Sequence, residues 1–94
     1  MKMSQLQMTE TNTPKGVQAK VKFSGFMVSI VQNEISYGNR KGLYEIAVFS
    51  EGNQVELPGI TSPGDSVKGF LTESDVDAIL TKMHTITGTE GKQL

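Results

Sequence analysis

The chain has 94 residues and a formal net charge of −1, with nine lysine and arginine residues against ten aspartate and glutamate residues. This length allows a single hydrophobic core, because so short a chain cannot divide into two cores that are each stable alone. The absence of cysteine excludes disulfide bonds, thiolate metal sites and thiol nucleophiles.

The first sixteen residues are polar and show no hydrophobic period. We therefore expect a disordered N-terminal arm over residues 1–16, followed by a single domain over residues 17–88. The arm has no continuous apolar run of the length found in signal peptides. No segment approaches the roughly 20 consecutive apolar residues of a membrane-spanning helix. These features predict a cytoplasmic protein without membrane contact.

Hydrophobic patterning predicts five β-strands. The segments are 17–23, 26–31, 43–49, 54–57 and 67–71. The first alternates strictly between apolar and polar residues, as a half-buried strand does, and the second is a dense β-branched run. Gly25, between them, fits either a turn or a bulge inside one long bent strand, and we favour the bulge. The glycine-bracketed segment 38–42 has the length of a hairpin loop.

A helix is predicted after residue 72. Thr72 followed by Asp75 fits the N-terminal capping pattern, and Gly88 ends the periodic segment. Four apolar residues recur at the spacing of one buried helical stripe: Val76, Ile79, Leu80 and Met83. Residues 89–94 are predicted to form a frayed tail.

The predicted fold class is α+β, with a four- or five-stranded antiparallel sheet and one C-terminal helix packed on one face. In segments 26–31 and 44–49, apolar residues occur both at the odd-numbered and at the even-numbered positions, which face opposite sides of a sheet. One set must therefore point away from the helix, where either a curl of the sheet toward a barrel or a partner would cover it.

No residue pattern indicates catalysis or ligand binding. His84, the only histidine, lies where it would interact with the negative end of the helix dipole. Residues 59–66 have the glycine spacing of a phosphate-binding loop, but Asp65 occupies the position of the essential lysine. We therefore expect no enzyme, no cofactor, no metal ion and no small-molecule substrate.

The surplus of apolar strand residues favours a small non-enzymatic binding protein. It would act through protein–protein contacts of its sheet face or helix, with another protein or with a second copy in a homodimer. The general style of the chain, with a polar arm and no catalytic motif, resembles accessory proteins of phages and mobile elements. That resemblance implies an accessory or inhibitory factor.

An alternative function is binding of single-stranded nucleic acid or another polyanion through a basic strand and hairpin loop. Cations on these elements would contact phosphates, and a tyrosine ring would stack on a base. The candidate partner-binding residues are Lys20, Lys22, Tyr37, Arg40, Lys41 and Tyr44. Lys15 would contribute if the hairpin loop folds toward it.

Overall fold

A computed structural model of the chain describes residues 1–94. It contains one α-helix, seven β-strands and two short 3-10 turns. The elements are β1 (Thr9–Asn12), β2 (Lys15–Phe23), β3 (Phe26–Asn33), β4 (Tyr44–Ser50), β5 (Asn53–Gln54), β6 (Val67–Leu71), α1 (Glu73–Thr87) and β7 (Lys92–Gln93), with 3-10 turns at Met3–Gln5 and Asn39–Lys41. The predicted α+β class, with one helix near the C-terminus packed on an antiparallel sheet, is confirmed.

The sheet is five positions wide although it contains seven strands. Its order is β1-β2-β3-β4-β5, and β7 also pairs with β2 while β6 also pairs with β4. Each outer position is therefore shared by two short strands. Four predicted strands are present, β5 contains only Gln54 of the predicted strand 54–57, and β1 and β7 are additional. The two edges do not pair with each other, so the sheet remains open and the barrel alternative is wrong.

Gly25 lies in a tight turn and not in a bulge. Phe23 and Phe26 are directly opposite each other in the β2–β3 ladder, which leaves only Ser24 and Gly25 between the strands. Gly25 has a φ of 79°, a left-handed conformation that glycine adopts without steric cost. The bulge expected here was wrong because an isolated glycine in a strand pattern indicates either feature.

Each of the two terminal segments, predicted as a disordered arm over 1–16 and a frayed tail over 89–94, contributes a short strand to the sheet. Met3 is buried in the core, and its backbone N–H donates to Asp77 Oδ1 on α1 at 2.7 Å. β1 pairs with the first half of β2, and β7 pairs with the second half. Both strands cover the outer edge of β2, whose backbone N–H and C=O groups would otherwise lack partners.

Helix α1 is positioned by its cap and by its buried stripe. The Thr72 hydroxyl accepts a hydrogen bond from the Asp75 N–H, and the Asp75 carboxylate accepts one from the Thr72 N–H. Hydrogen bonds from the Thr72 backbone and side chain, with a smaller contribution from the positive charge of Lys68, hold the pKa of Asp75 below its ordinary value. The four apolar residues of the predicted stripe are all buried, and the helix ends at Gly88.

The hydrophobic core lies between α1 and one face of the sheet. It combines the helical stripe with alternate residues of the three central strands, including Val21, Val28, Ile30, Ile46 and Val48. Each fully buried side chain of this kind stabilises the fold by roughly 1.5–3 kcal/mol. No helix of the structure is long and apolar enough to span a bilayer.

Candidate interaction surfaces

The sheet has a second face, which we call the open face. On β3 and β4 the residues Val28, Ile30, Ile46 and Val48 point into the core with α1. Because side chains alternate along a strand, Met27 and the residues two and four positions after it on β3 point away from the core, onto the open face. The N-terminal 3-10 turn and the loop residue Ile60 also pack on the core side. The structure thus decides which of the two alternate sets faces away from the helix.

An apolar groove lies at the end of the sheet near the β2–β3 turn, where residues of the open face meet Phe23 and Phe26 of the core face and the β4–β5 turn. Met27 and Phe49 are directly opposite each other on β3 and β4, and both are half-buried. The groove has a volume of about 580 Å³ and is also lined by Phe26 and Leu94, with Leu94 68% exposed. Apolar side chains thus form a concave surface that no other element of the chain fills.

Three exposed lysines form a row beside the apolar groove. Lys22 lies opposite Met27 on one side and opposite Lys92 of β7 on the other. Lys20, two residues along β2 on the same face, lies opposite Ser29. We refer to Lys20, Lys22 and Lys92 as the lysine row. Like charges directly opposite each other across strands are destabilising, so Lys22 and Lys92 repel each other in the folded chain.

An exposed aromatic pair lies at the other end of the sheet. The rings of Tyr37 and Phe70 are stacked, with centroids 6.3 Å apart and an interplanar angle of 23°. Both side chains are more than half exposed, Tyr37 at 59% and Phe70 at 58%. The β3–β4 loop thus crosses over β6 and places two aromatic rings in contact with solvent.

The backbone that holds this pair is strained. Phe70 has a φ of 57°, in the left-handed region that non-glycine residues rarely adopt. One extra residue on β6 is accommodated between the Tyr44–Leu71 and Ile46–Lys68 pairs, which is a β-bulge. Next to the bulge, Gly69 approaches Tyr37 so closely that a Cβ there would overlap the Tyr37 Cβ. Bulges of this kind redirect side chains, and this one turns the Phe70 ring outward.

Two hydrogen bonds hold the β3–β4 loop, one from the backbone of β6 and one to a side chain of β4. The Phe70 N–H donates to the Tyr37 carbonyl oxygen at 3.3 Å, and the Tyr37 N–H donates to Glu45 Oε2 at 3.1 Å. A second groove, of about 330 Å³, begins beside Phe70 and runs between β6 and α1, with Lys68 and Lys82 among its lining residues. Aromatic rings and cations are therefore neighbours at this end.

The predicted partner-binding residues do not form one patch. Lys22 and Lys15 lie seven residues apart on β2, which corresponds to roughly 23 Å along a strand. The β3–β4 loop starts beside Lys15, because the Glu34 N–H donates to the Lys15 carbonyl oxygen. Arg40 and Lys41 belong to this loop, so they lie at the opposite end of the sheet from Lys22. The cations expected together are divided between the two ends.

The two tyrosines of the predicted binding residues differ in the direction in which their rings point. Tyr37 is exposed and belongs to the aromatic pair. Tyr44 lies opposite Leu71 and packs against the core, so its ring is directed to the helix side of the sheet. Sequence reasoning missed Phe70, although Gly69 inside a strand pattern is a signal for a bulge. It also missed Lys92 and Leu94, because residues 89–94 show no hydrophobic period that would indicate a strand.

His84 is exposed on α1, and the Gly88 N–H donates to its backbone carbonyl. No cluster of three or more His, Asp and Glu side chains in the structure has the spacing of a metal site. A scan against protein-family models gives no match to the chain, and searches of curated proteins and of solved structures give none either.

Proposed function

We propose that this chain is a non-enzymatic binding protein that docks a segment of another protein on the open face of its sheet. The observation that supports the proposal is the apolar groove between Met27 and Phe49, on a face that α1 leaves uncovered. Its volume of about 580 Å³ is large enough for one or two side chains of a partner. Buried apolar anchors of this kind supply most of the binding energy of protein interfaces.

The proposal is tested by placing a charge in the groove. In M27D, a carboxylate replaces the apolar side chain at the floor of the groove, opposite Lys22, and burying it beneath an apolar side chain of a partner is costly. The matched control is I86D, which makes the same kind of change at an apolar side chain of α1 that is 49% exposed and lies on the other layer. Circular dichroism establishes that both variants are folded before binding is compared.

Quantitative mass spectrometry of proteins captured from the source cells by wild type, M27D and I86D gives the readout. We expect at least one protein to be retained by wild type and I86D and to be reduced tenfold or more with M27D, since about 1.4 kcal/mol changes affinity tenfold. If every captured protein is retained equally by M27D, the groove is not the docking site.

Binding of single-stranded nucleic acid is a second candidate function, favoured by the exposed stack of Tyr37 on Phe70. Stacking of a base on an aromatic ring contributes about 1–3 kcal/mol. Arg40 and Lys41, in the turn that follows Tyr37 and Gly38, would contact phosphates together with Lys68. This function ranks second because the net charge is −1 and three of the cations, Lys20, Lys22 and Lys92, lie toward the other end of the sheet.

Titration of a labelled oligothymidylate at low and moderate salt tests this second candidate. We expect binding that weakens steeply with salt, as counterion release requires, and that is lost in F70A but kept in I86A. An absence of binding at low salt, or equal binding by F70A and wild type, would reject it.

A further inference from the structure

We infer that the segment docked in the apolar groove is acidic as well as apolar, with its carboxylates over the lysine row. This inference rests on the proposed docking function and names the chemistry of the partner. It follows from charges that the fold brings together beside the groove and does not neutralise.

The lysine row is an arrangement that is unfavourable within the chain. Lys22 and Lys92 are direct cross-strand partners, and Lys20 is on the same face of β2. On β3, the residues opposite Lys22 and Lys20 are Met27 and Ser29, neither of which carries a charge. A like-charged cross-strand pair of this kind is destabilising. Carboxylates of a bound partner would convert this repulsion into attraction.

The groove is also electrically asymmetric. Lys22 lines the groove on the β2 side, with the other two lysines of the row beside it, whereas Glu51 lines the groove from the β4–β5 turn. A bound segment therefore has a preferred direction, with acidic residues over β2 and β7 and apolar side chains between Met27 and Phe49. The methylene stems of the lysines extend the apolar surface, while their ammonium groups remain available to the partner.

Charge complementarity favours such a partner over a second copy of the chain. In a twofold symmetric dimer the same surface contributes from both subunits. Pairing through the open face would bring two lysine rows into one interface. Against the six lysines of two rows, the groove linings of two copies supply only two carboxylates, those of Glu51. An acidic segment from a different protein has no such conflict.

The test is selection of random twelve-residue peptides, displayed on phage, against the full chain. We expect the enriched sequences to place two or more Asp or Glu residues next to a large apolar residue. A synthetic peptide of the most enriched sequence is then titrated by fluorescence anisotropy. Its affinity should fall tenfold or more when the lysine row is reversed in K20E/K22E/K92E, and also when salt is raised from 50 to 500 mM.

A matched control reverses three exposed lysines that lie away from the row, K2E/K15E/K41E, and is expected to bind the peptide within twofold of wild type. M27D should lose binding, because the inference places the apolar part of the peptide on Met27. Thermal unfolding of each variant confirms that it is folded.

The outcomes separate the inference from the function on which it rests. Enriched peptides without an acidic excess that still require Met27 would overturn the inference and leave the docking function standing. Binding that is indifferent to M27D, or no enrichment at all, overturns both. A dimer in sedimentation equilibrium that dissociates in M27D identifies a second copy as the occupant. Displacement of the peptide by an oligothymidylate identifies nucleic acid; either result overturns the inference.

Discussion

At Phe70, because its backbone is strained, we expect glycine to be more stable than alanine, which is the reverse of the order at ordinary strand positions. Its φ of 57° costs a non-glycine residue about 1–2 kcal/mol. Its ring stacks on Tyr37 and contributes about 0.5–1.5 kcal/mol in return. F70A removes the ring and keeps the strain, whereas F70G removes both.

We expect F70G to be more stable than F70A by about 0.5–1 kcal/mol. Relief of the left-handed penalty exceeds the roughly 0.4–1 kcal/mol that glycine loses through the greater entropy of its unfolded chain. In a domain of this size the difference corresponds to roughly 3–6 °C in melting temperature. Urea unfolding followed by far-UV circular dichroism measures it, with equal m-values as evidence that the unfolded states are comparable.

Lys68, two residues earlier on the same strand, provides the matched control. It is exposed and is not among the residues with positive φ. There the ordinary rule for strands applies, and K68G should be less stable than K68A by about 0.5–1 kcal/mol. If F70G is no more stable than F70A, the strain at Phe70 and the outward turn of its ring are refuted.

Three further predictions concern the termini and the helix cap. Met3→Ala should lower the free energy of unfolding by about 2–5 kcal/mol, because Met3 is buried in the core; a urea midpoint equal to that of wild type would show a mobile arm. Gly91→Ala should cost about 1–3 kcal/mol in thermal unfolding, because the new Cβ would lie 2.7 Å from the Phe23 ring; an unchanged melting temperature would mean that the tail is not docked. Thr72→Ala should raise the pKa of Asp75 part of the way toward 3.8 in a carboxylate NMR titration, because the side-chain hydrogen bond is lost while the backbone N–H of residue 72 still donates to the carboxylate. Since the folded pKa is depressed, the stabilisation from Asp75 is present above pH 3.8 and is lost as pH falls through the folded value. The stability difference between wild type and T72A should therefore narrow in acid, while the part due to the lost hydrogen bond from the Asp75 N–H remains.

The parts of the fold that sequence could predict are those with a repeated local signal. The strict alternation of 17–23 and the 3, 4, 7 spacing after Thr72 each report a buried face over several residues. Four strands and the helix follow from such signals. β7, by contrast, is only two residues long, and one apolar residue such as Met3 in a polar segment produces no period.

One incorrect interpretation explains why the open face could not be assigned from sequence. The apolar face of β2 was known to include Phe23. If Ser24 and Gly25 are a two-residue turn, Phe26 lies opposite Phe23 and shares its face. Alternation along β3 then directs Met27 away from the core. A bulge at Gly25 does not allow this inference, because one extra residue reverses which side chains of the following strand face the helix.

The composition of the apolar groove depends on the segments that are hardest to predict. β2 alone would present Lys20 and Lys22 as a solvated strand face. Its edge also binds β7, which places Lys92 opposite Lys22 and brings Leu94 to the groove. The like-charged pair and the added apolar side chain arise only from this long-range pairing. Removal of residues 89–94 should therefore weaken peptide binding more than the loss of one lysine does, since it removes the positive charge of Lys92 and the apolar side chain of Leu94 together.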